Sequence, residues 1–167
     1  MNEKTETILM NYIAENKENI YRLAYSYVKN KEDALDIVQD AIYKAIRSFD
    51  LLNDKAVVKS WFYRIVVNTA LDFIRKYKRV NVMCLDNLEF YIPGTEDTYT
   101  NIDLVRTVED MPSRYREVVV LRYFEDLKIE EIADILQLNV NTVKTRLYLA
   151  LRLLRVRLND ISLKDIM

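Results

Sequence analysis

Residues 127–158, LKIEEIADILQLNVNTVKTRLYLALRLLRVRL, carry side chains that could grip a polyanion. Ile129, Ile132, Ala133 and Leu136 recur at three- and four-residue steps, the spacing of one buried helical face. Leu138 and Asn139 interrupt that pattern. A second one opens at Val140 and runs through Val143, Leu147, Ala150, Leu151 and Leu154. Between these apolar positions stand Lys144, Arg146, Arg152, Arg155 and Arg157, with no acid from Lys144 to Leu158. The preceding helix is acidic, with Glu130, Glu131 and Asp134. Two short helices of opposite charge across a tight turn form a helix-turn-helix whose second member faces nucleic acid. The small Ala133 suits the point where two steeply crossing helices approach most closely. A solvated basic face is the bland alternative, and the turn, the alanine and the one-sided charge weigh against it.

A second cationic group ends the predicted third helix. Arg75, Lys76, Lys78 and Arg79 place four cations in five residues, after Asn68 and Asp72. Cations do complement the negative end of a helix dipole. Four exceed what that role needs, and each phosphate they neutralised would add about 0.9 to the log–log salt slope of binding. Just upstream, Trp61, Phe62, Tyr63, Arg64 and Asn68 interleave rings with polar groups. Rings stack on unpaired bases for roughly 1–3 kcal/mol each, and Arg64 or Asn68 can read an exposed base edge. Trp61 and Phe62 also fit a protein core, and for Trp61 the core is the favoured reading. The predicted second helix carries Glu32, Asp33, Asp36, Gln39 and Asp40 on its polar side. Such a face repels DNA, so it meets solvent or a basic protein, and composition alone favours solvent.

These groups need elements to hold them. Helical periodicity predicts a first helix over 7–29, with Ile13, Ile20, Leu23, Ala24, Tyr27 and Val28 inward. A second spans 32–49, with Ala34, Leu35, Val38, Ala41, Ile42, Ala45, Ile46 and Phe49 inward. A loop follows at Asp50–Lys55. A third helix spans 56–79 with Val58, Trp61, Phe62, Ile65, Val66, Ala70, Phe73, Ile74 and Tyr77 inward. From 81 to 100 the period fades among Asn81, Asp86, Asn87, Pro93, Gly94 and Thr95, so this stretch reads as a linker. Helices return at 102–109 and, after Pro112, at 113–124. The expected fold is all-α: a helical bundle over 1–80, an acidic linker over 81–100, and a helix-turn-helix domain over 101–167.

Composition supports that fold. One Gly and two Pro in 167 residues leave too few breakers for a sheet. The net charge is −1 but segregated. Residues 1–79 carry 14 bases and 11 acids, residues 80–100 four acids and no base, and residues 101–167 eleven of each. The lone cysteine, Cys84, allows no intrachain disulfide and is expected in the linker. The absence of His removes the commonest general base and metal ligand, and no phosphate-loop, dinucleotide or CxxC motif occurs. The expectations are no catalytic activity, no cofactor, no metal and a cytoplasmic location.

KNKEDALDIVQDAIYKAI, then KSWFYRIVVNTALDFIRKYKR, then MPSRYREVVVLRYFEDLKIEEIADIL and NVNTVKTRLYLAL resemble, in order, the blocks of extracytoplasmic-function (group IV) bacterial sigma factors, with likeness to the sigma-V-like branch. The resemblance implies a sigma-2 and a sigma-4 domain. It implies that Asp36, Gln39 and Asp40 dock on the β′ clamp helices of core RNA polymerase. It implies −10 recognition by Arg64 and Asn68 with the Asp50–Lys55 loop, and backbone contacts by Arg75, Lys76, Lys78 and Arg79. It implies −35 contacts by Lys144, Thr145 and Tyr148, with Thr142 and Arg146 nearer the phosphates. Its expected partners are core polymerase (β′ clamp helices and β flap), promoter DNA and a membrane-anchored anti-sigma factor, with no small-molecule substrate.

Two positions depart from the family pattern. Asn141 stands where a small Gly is common before the TVK triplet, and Leu149 where Arg is frequent. Leu149 cannot hydrogen-bond a base, so a narrower or different −35 specificity is expected. Two rivals remain at this point: a stand-alone helix-turn-helix regulator, and a helical adaptor whose basic faces meet acidic proteins.

Overall fold

The computed structural model describes residues 3–49, 58–84 and 102–166. The expected Asp50–Lys55 loop and most of the acidic linker lie outside the described residues. Described residues are almost wholly helical, with no strand among them. The chain divides into two units, Met1–Ile92 with Asp134–Leu136, and Pro93–Ala133 with Gln137–Met167.

In the first unit α1 (Glu3–Val28), α2 (Lys31–Ser48) and α3 (Val58–Cys84) pack pairwise against one another. Lys29 closes α1 in the left-handed region at φ 53°. Asn30 starts α2, its side-chain oxygen accepting from the Glu32 and Asp33 backbone N–H groups at 2.9 and 3.1 Å. Leu9, Ile20, Leu23, Ile37, Phe49, Phe62 and Tyr63 make the core. The expected inward set mostly holds, except that Tyr77 of α3 is 44% exposed and one exchange occurs on α2. Ile37 is 1% exposed and Leu35 is 51% exposed, because the buried stripe is Ala34, Ile37, Ala41 and Ala45. Helix α3 continues five residues past the expected end at Arg79, so Cys84 belongs to a helix rather than to a linker. Nothing in Val80–Cys84 is a helix breaker, which accounts for the extension.

In the second unit α4 (Ile102–Glu109), α5 (Ser113–Val119), α6 (Ile129–Leu136) and α7 (Val140–Ile166) surround Val108, Met111, Val118, Leu121, Leu127, Ile132, Val143, Leu147 and Ala150. The helix expected to reach Phe124 does so, but its last five residues, Val120–Phe124, form a π-helical turn. There the Glu125 N–H donates to the Val120 carbonyl at 3.1 Å. On α6 Ile135 is buried at 1% exposure together with Ile132 and Ala133, while Leu136 is half-buried. The α6–α7 turn is left-handed at Gln137 (φ 55°) and closed by the Leu138 N–H on the Ala133 carbonyl at 2.9 Å. Asn139 then caps α7, its Oδ1 accepting from the Asn141 N–H at 2.8 Å. The chain's single Gly lies elsewhere, so Gln137 carries a left-handed cost of roughly 1–2 kcal/mol. Gln137→Gly recovers part of that cost against the entropy of glycine. It should raise stability by about 0.5–1 kcal/mol, read as a higher urea midpoint at constant m.

Candidate nucleic-acid and polymerase interfaces

Helix α7 buries Val143, Leu147, Ala150 and Leu154 and turns Lys144, Thr145, Tyr148, Arg152 and Arg155 outward. Tyr148 is 67% exposed, unusually open for a ring of its size. Lys144, Tyr148 and Arg152 stand at four-residue steps, so they share one face. Thr142 is exposed at the first turn. Thr145 Oγ1 donates back to the Asn141 carbonyl at 2.9 Å, which leaves its oxygen lone pairs outward as acceptors. Arg146 stands apart from the other candidates. It is half-buried and its Nη1 lies 2.7 Å from Glu117 Oε1 on α5. Asn141 is exposed, Leu149 half-buried, and Leu151, expected inside, is 41% exposed.

On α3, Arg64 and Asn68 are both exposed and one turn apart. Arg75, Lys76 and Lys78 are exposed further along, with Arg75 paired to Asp72 at 3.1 Å in open solvent. The side chain of Arg79 lies outside the described residues. The interleaved rings have a different role from base stacking. Phe62 and Tyr63 are fully buried, and Trp61 is half-buried with its ring 5.5 Å from that of Phe49 in an edge-on contact. These rings anchor α3, and the polar residues between them are what faces outward.

On α2, Asp36, Gln39 and Asp40 are exposed along one side. Asp40 pairs with Lys44 at 2.9 Å, and Lys44 Nζ also donates to Thr69 Oγ1 on α3 at 3.2 Å. Leu35 and Tyr43 are more than half exposed on this helix. The Tyr43 hydroxyl accepts from Arg47 at 3.2 Å. Burial first, then the charges of Asp36 and Glu32, holds the Asp33 carboxyl above its ordinary value of 3.8. A raised acid weakens the folded state when ionised. The penalty is complete above the raised value, shrinks as pH falls through it, and vanishes below about 3.8, the unfolded value. Asp33→Asn should therefore melt higher than the parent at pH 7, with the gap closing in acid.

Among the described residues no cluster of His, Cys, Asp or Glu could hold a metal ion. No helix among them is long and apolar enough to cross a membrane. Fold and surfaces together define a two-domain helical protein with cationic outer faces on α3 and α7 and an acidic face on α2. Residues 12–80 match the model of Sigma-70 region 2, and residues 102–154 that of Sigma-70, region 4. The chain is 49% identical over 156 residues to the RNA polymerase sigma factor SigV of Bacillus subtilis, covering 93% of this chain and 94% of that one. It is 33% identical to the ECF RNA polymerase sigma factor SigW of the same organism, covering 87% and 86%. Two solved structures share the fold at 21% identity. One is the sigma factor RpoE in complex with the anti-sigma factor NepR from Bartonella quintana (TM-score 0.73; 89% of this chain, 97% of that one). The other is CnrH in complex with the cytosolic domain of CnrY (TM-score 0.66; 91% and 88%). The chain belongs to the extracytoplasmic-function sigma factors of the sigma-70 family. It is an alternative sigma factor that directs promoter-specific transcription initiation.

Proposed function

We propose that the two cationic faces read the two promoter elements while the acidic face of α2 docks on core RNA polymerase. The observation that carries this is the sorting of exposed charge by helix. Cations stand outward on α3 and α7, and Asp36 and Asp40 stand outward on α2. In this reading α7 enters the −35 major groove, Lys144, Thr145 and Tyr148 meet base edges, and Thr142 lies near the backbone. Arg64 and Asn68 hold an extruded −10 base, and Arg75, Lys76, Lys78 and Arg79 take phosphates. Duplex opening is driven by tighter binding of the single strand than of the duplex at −10. Asp36, Gln39 and Asp40 meet the β′ clamp helices, and the domain over 101–167 also meets the β flap. The domain over 1–80 reads −10, and the acids that follow α3 in the sequence meet a basic channel of the polymerase.

The chain then acts as an initiation factor with no catalysis, cofactor or small-molecule substrate of its own. It works in the cytoplasm and is held inactive by a membrane-anchored anti-sigma factor. The structure of the same fold in which RpoE is in complex with the anti-sigma factor NepR supports that partner class. Run-off transcription with purified core polymerase, with and without this chain, tests the whole reading. Promoter-specific product that depends on the chain is expected. Duplex binding without product would favour the stand-alone regulator, and neither would favour the adaptor.

A further inference from the structure

The arginines of α7 divide by face. At 100° per residue, Lys144, Tyr148, Arg152 and Arg155 fall within an arc of about 80°. Arg146 lies roughly 160° around the helix from the centre of that arc. Arg152 and Arg155 are exposed, as Lys144 is. Arg146 is turned toward α5, where its guanidinium meets Glu117 at 2.7 Å with the two side chains 26% and 14% exposed. Glu117 stands 29 residues upstream of its partner, so the pair ties two separate helices together. Its neighbour Arg116 is buried and donates to the carbonyls of Glu109 (2.6 Å) and Met111 (3.3 Å). Consecutive residues of a seven-residue helix thus anchor the end of α4 on one side and the roll of α7 on the other.

We propose that Arg146 is a positioning residue, locked by Glu117 to set the roll of α7, and that Arg152 and Arg155 supply the phosphate contacts flanking Lys144 and Tyr148. The inference rests on the −35 reading of α7 and reassigns the backbone contact expected of Arg146. A charge-assisted pair this shielded is stronger than an exposed one, and removing either partner strands the other. Arg152 and Arg155 lie about 12 and 16 Å along the helix axis from Lys144. That equals or exceeds the major-groove width of about 12 Å, so with Lys144 in the groove both arginines overlie the phosphates of its wall.

The test uses holoenzyme reconstituted with the full chain. Affinity is measured from low to high salt on promoter fragments with an intact or a scrambled −35 element. Lys144→Ala is the reference. Loss of preference for the intact element supports the underlying reading, and no loss overturns that reading and this inference with it. Arg152→Gln and Arg155→Gln should each lower the log–log salt slope by about 0.9. Glu117→Gln and Arg146→Gln should leave the slope unchanged and cut preference for the intact element on the order of tenfold. The exchange Glu117→Arg with Arg146→Glu should restore most of that preference. A slope lowered by Arg146→Gln would overturn the proposal. So would a slope steepened by Glu117→Gln, since that would mean a freed Arg146 reaching phosphate. An exchange variant of parental helicity without recovery would overturn it too. Should the exchange variant not fold, the two single variants still decide the matter by their slopes.

Discussion

A chain carrying both Asp36→Lys and Asp40→Lys is expected to bind core RNA polymerase at least a hundredfold more weakly, a loss of about 3 kcal/mol or more. The size follows from sign. Truncating an interface acid removes an attraction, whereas reversing it sets like charges face to face, at several kcal/mol. Both carboxylates are exposed, so reversal leaves the buried stripe of Ala34, Ile37, Ala41 and Ala45 untouched. The pair between Asp40 and Lys44 is about half exposed on both sides and contributes under about 1 kcal/mol, so a polymerase cation can displace it. Lysine at position 40 would face Lys44 one turn on, a repulsion of a few tenths of a kcal/mol within α2, too small to unfold the domain. Asp36→Asn with Asp40→Asn gives the graded control, with an intermediate loss. The measurement is a titration of fluorescent chain with core polymerase, with circular dichroism to confirm parental helicity. Parental affinity in the lysine variant would remove the acidic face from the proposed docking surface.

Most of the fold was legible because helices announce themselves locally. One Gly, two Pro and long three- and four-residue apolar steps leave little but helix. What escaped was decided by tertiary contact. Leu35 and Ile37 are equally apolar, and only the angle at which α2 meets α1 and α3 buries one and exposes the other. Tyr63 looked available to a base because it sits among Arg64 and Asn68, yet one residue is 100° of helix, enough to turn its ring inward. Cationic residues on α7 could be counted from the sequence, but their availability could not. Glu117 lies 29 residues from Arg146, and no periodicity within α7 hints at it. Its signal was present in another form. A half-buried acid directly before the apolar run 118–121 needs a partner, and the half-buried arginine supplies one. The left-handed residues Lys29, Asp126 and Gln137 were equally hidden, since a glycine would have marked them and the only glycine lies elsewhere.

Lys144→Glu should leave polymerase assembly at parental affinity while reducing initiation from a −35-dependent promoter on the order of a hundredfold or more. Two effects add. A lysine contact to a base edge or phosphate is worth roughly 1–3 kcal/mol. The introduced carboxylate then stands in the strongly negative potential of the groove, at a further cost of the order of a like-charge contact. Fold stability should barely change, because Lys144 is exposed and the neighbouring Val143 and Leu147, which carry the packing of this turn, are left unaltered in the core. Lys144→Gln separates the two effects, losing the contact without adding repulsion, and its deficit should be the smaller. Run-off transcription from promoters with intact and substituted −35 elements provides the readout. For the parent chain the substitution matters, and for Lys144→Glu it should not, since an element no longer read cannot be missed. The half-buried Leu149 adds a prediction about which bases are read. An apolar side chain beside the contact face can touch a thymine methyl but cannot pair with guanine, so the element should tolerate loss of guanine at the base pair Leu149 adjoins. Unchanged start sites and yield from Lys144→Glu would mean that α7 does not enter the groove through this face. The loss seen with reversed Asp36 and Asp40 would then stand alone, as evidence of polymerase docking without −35 reading.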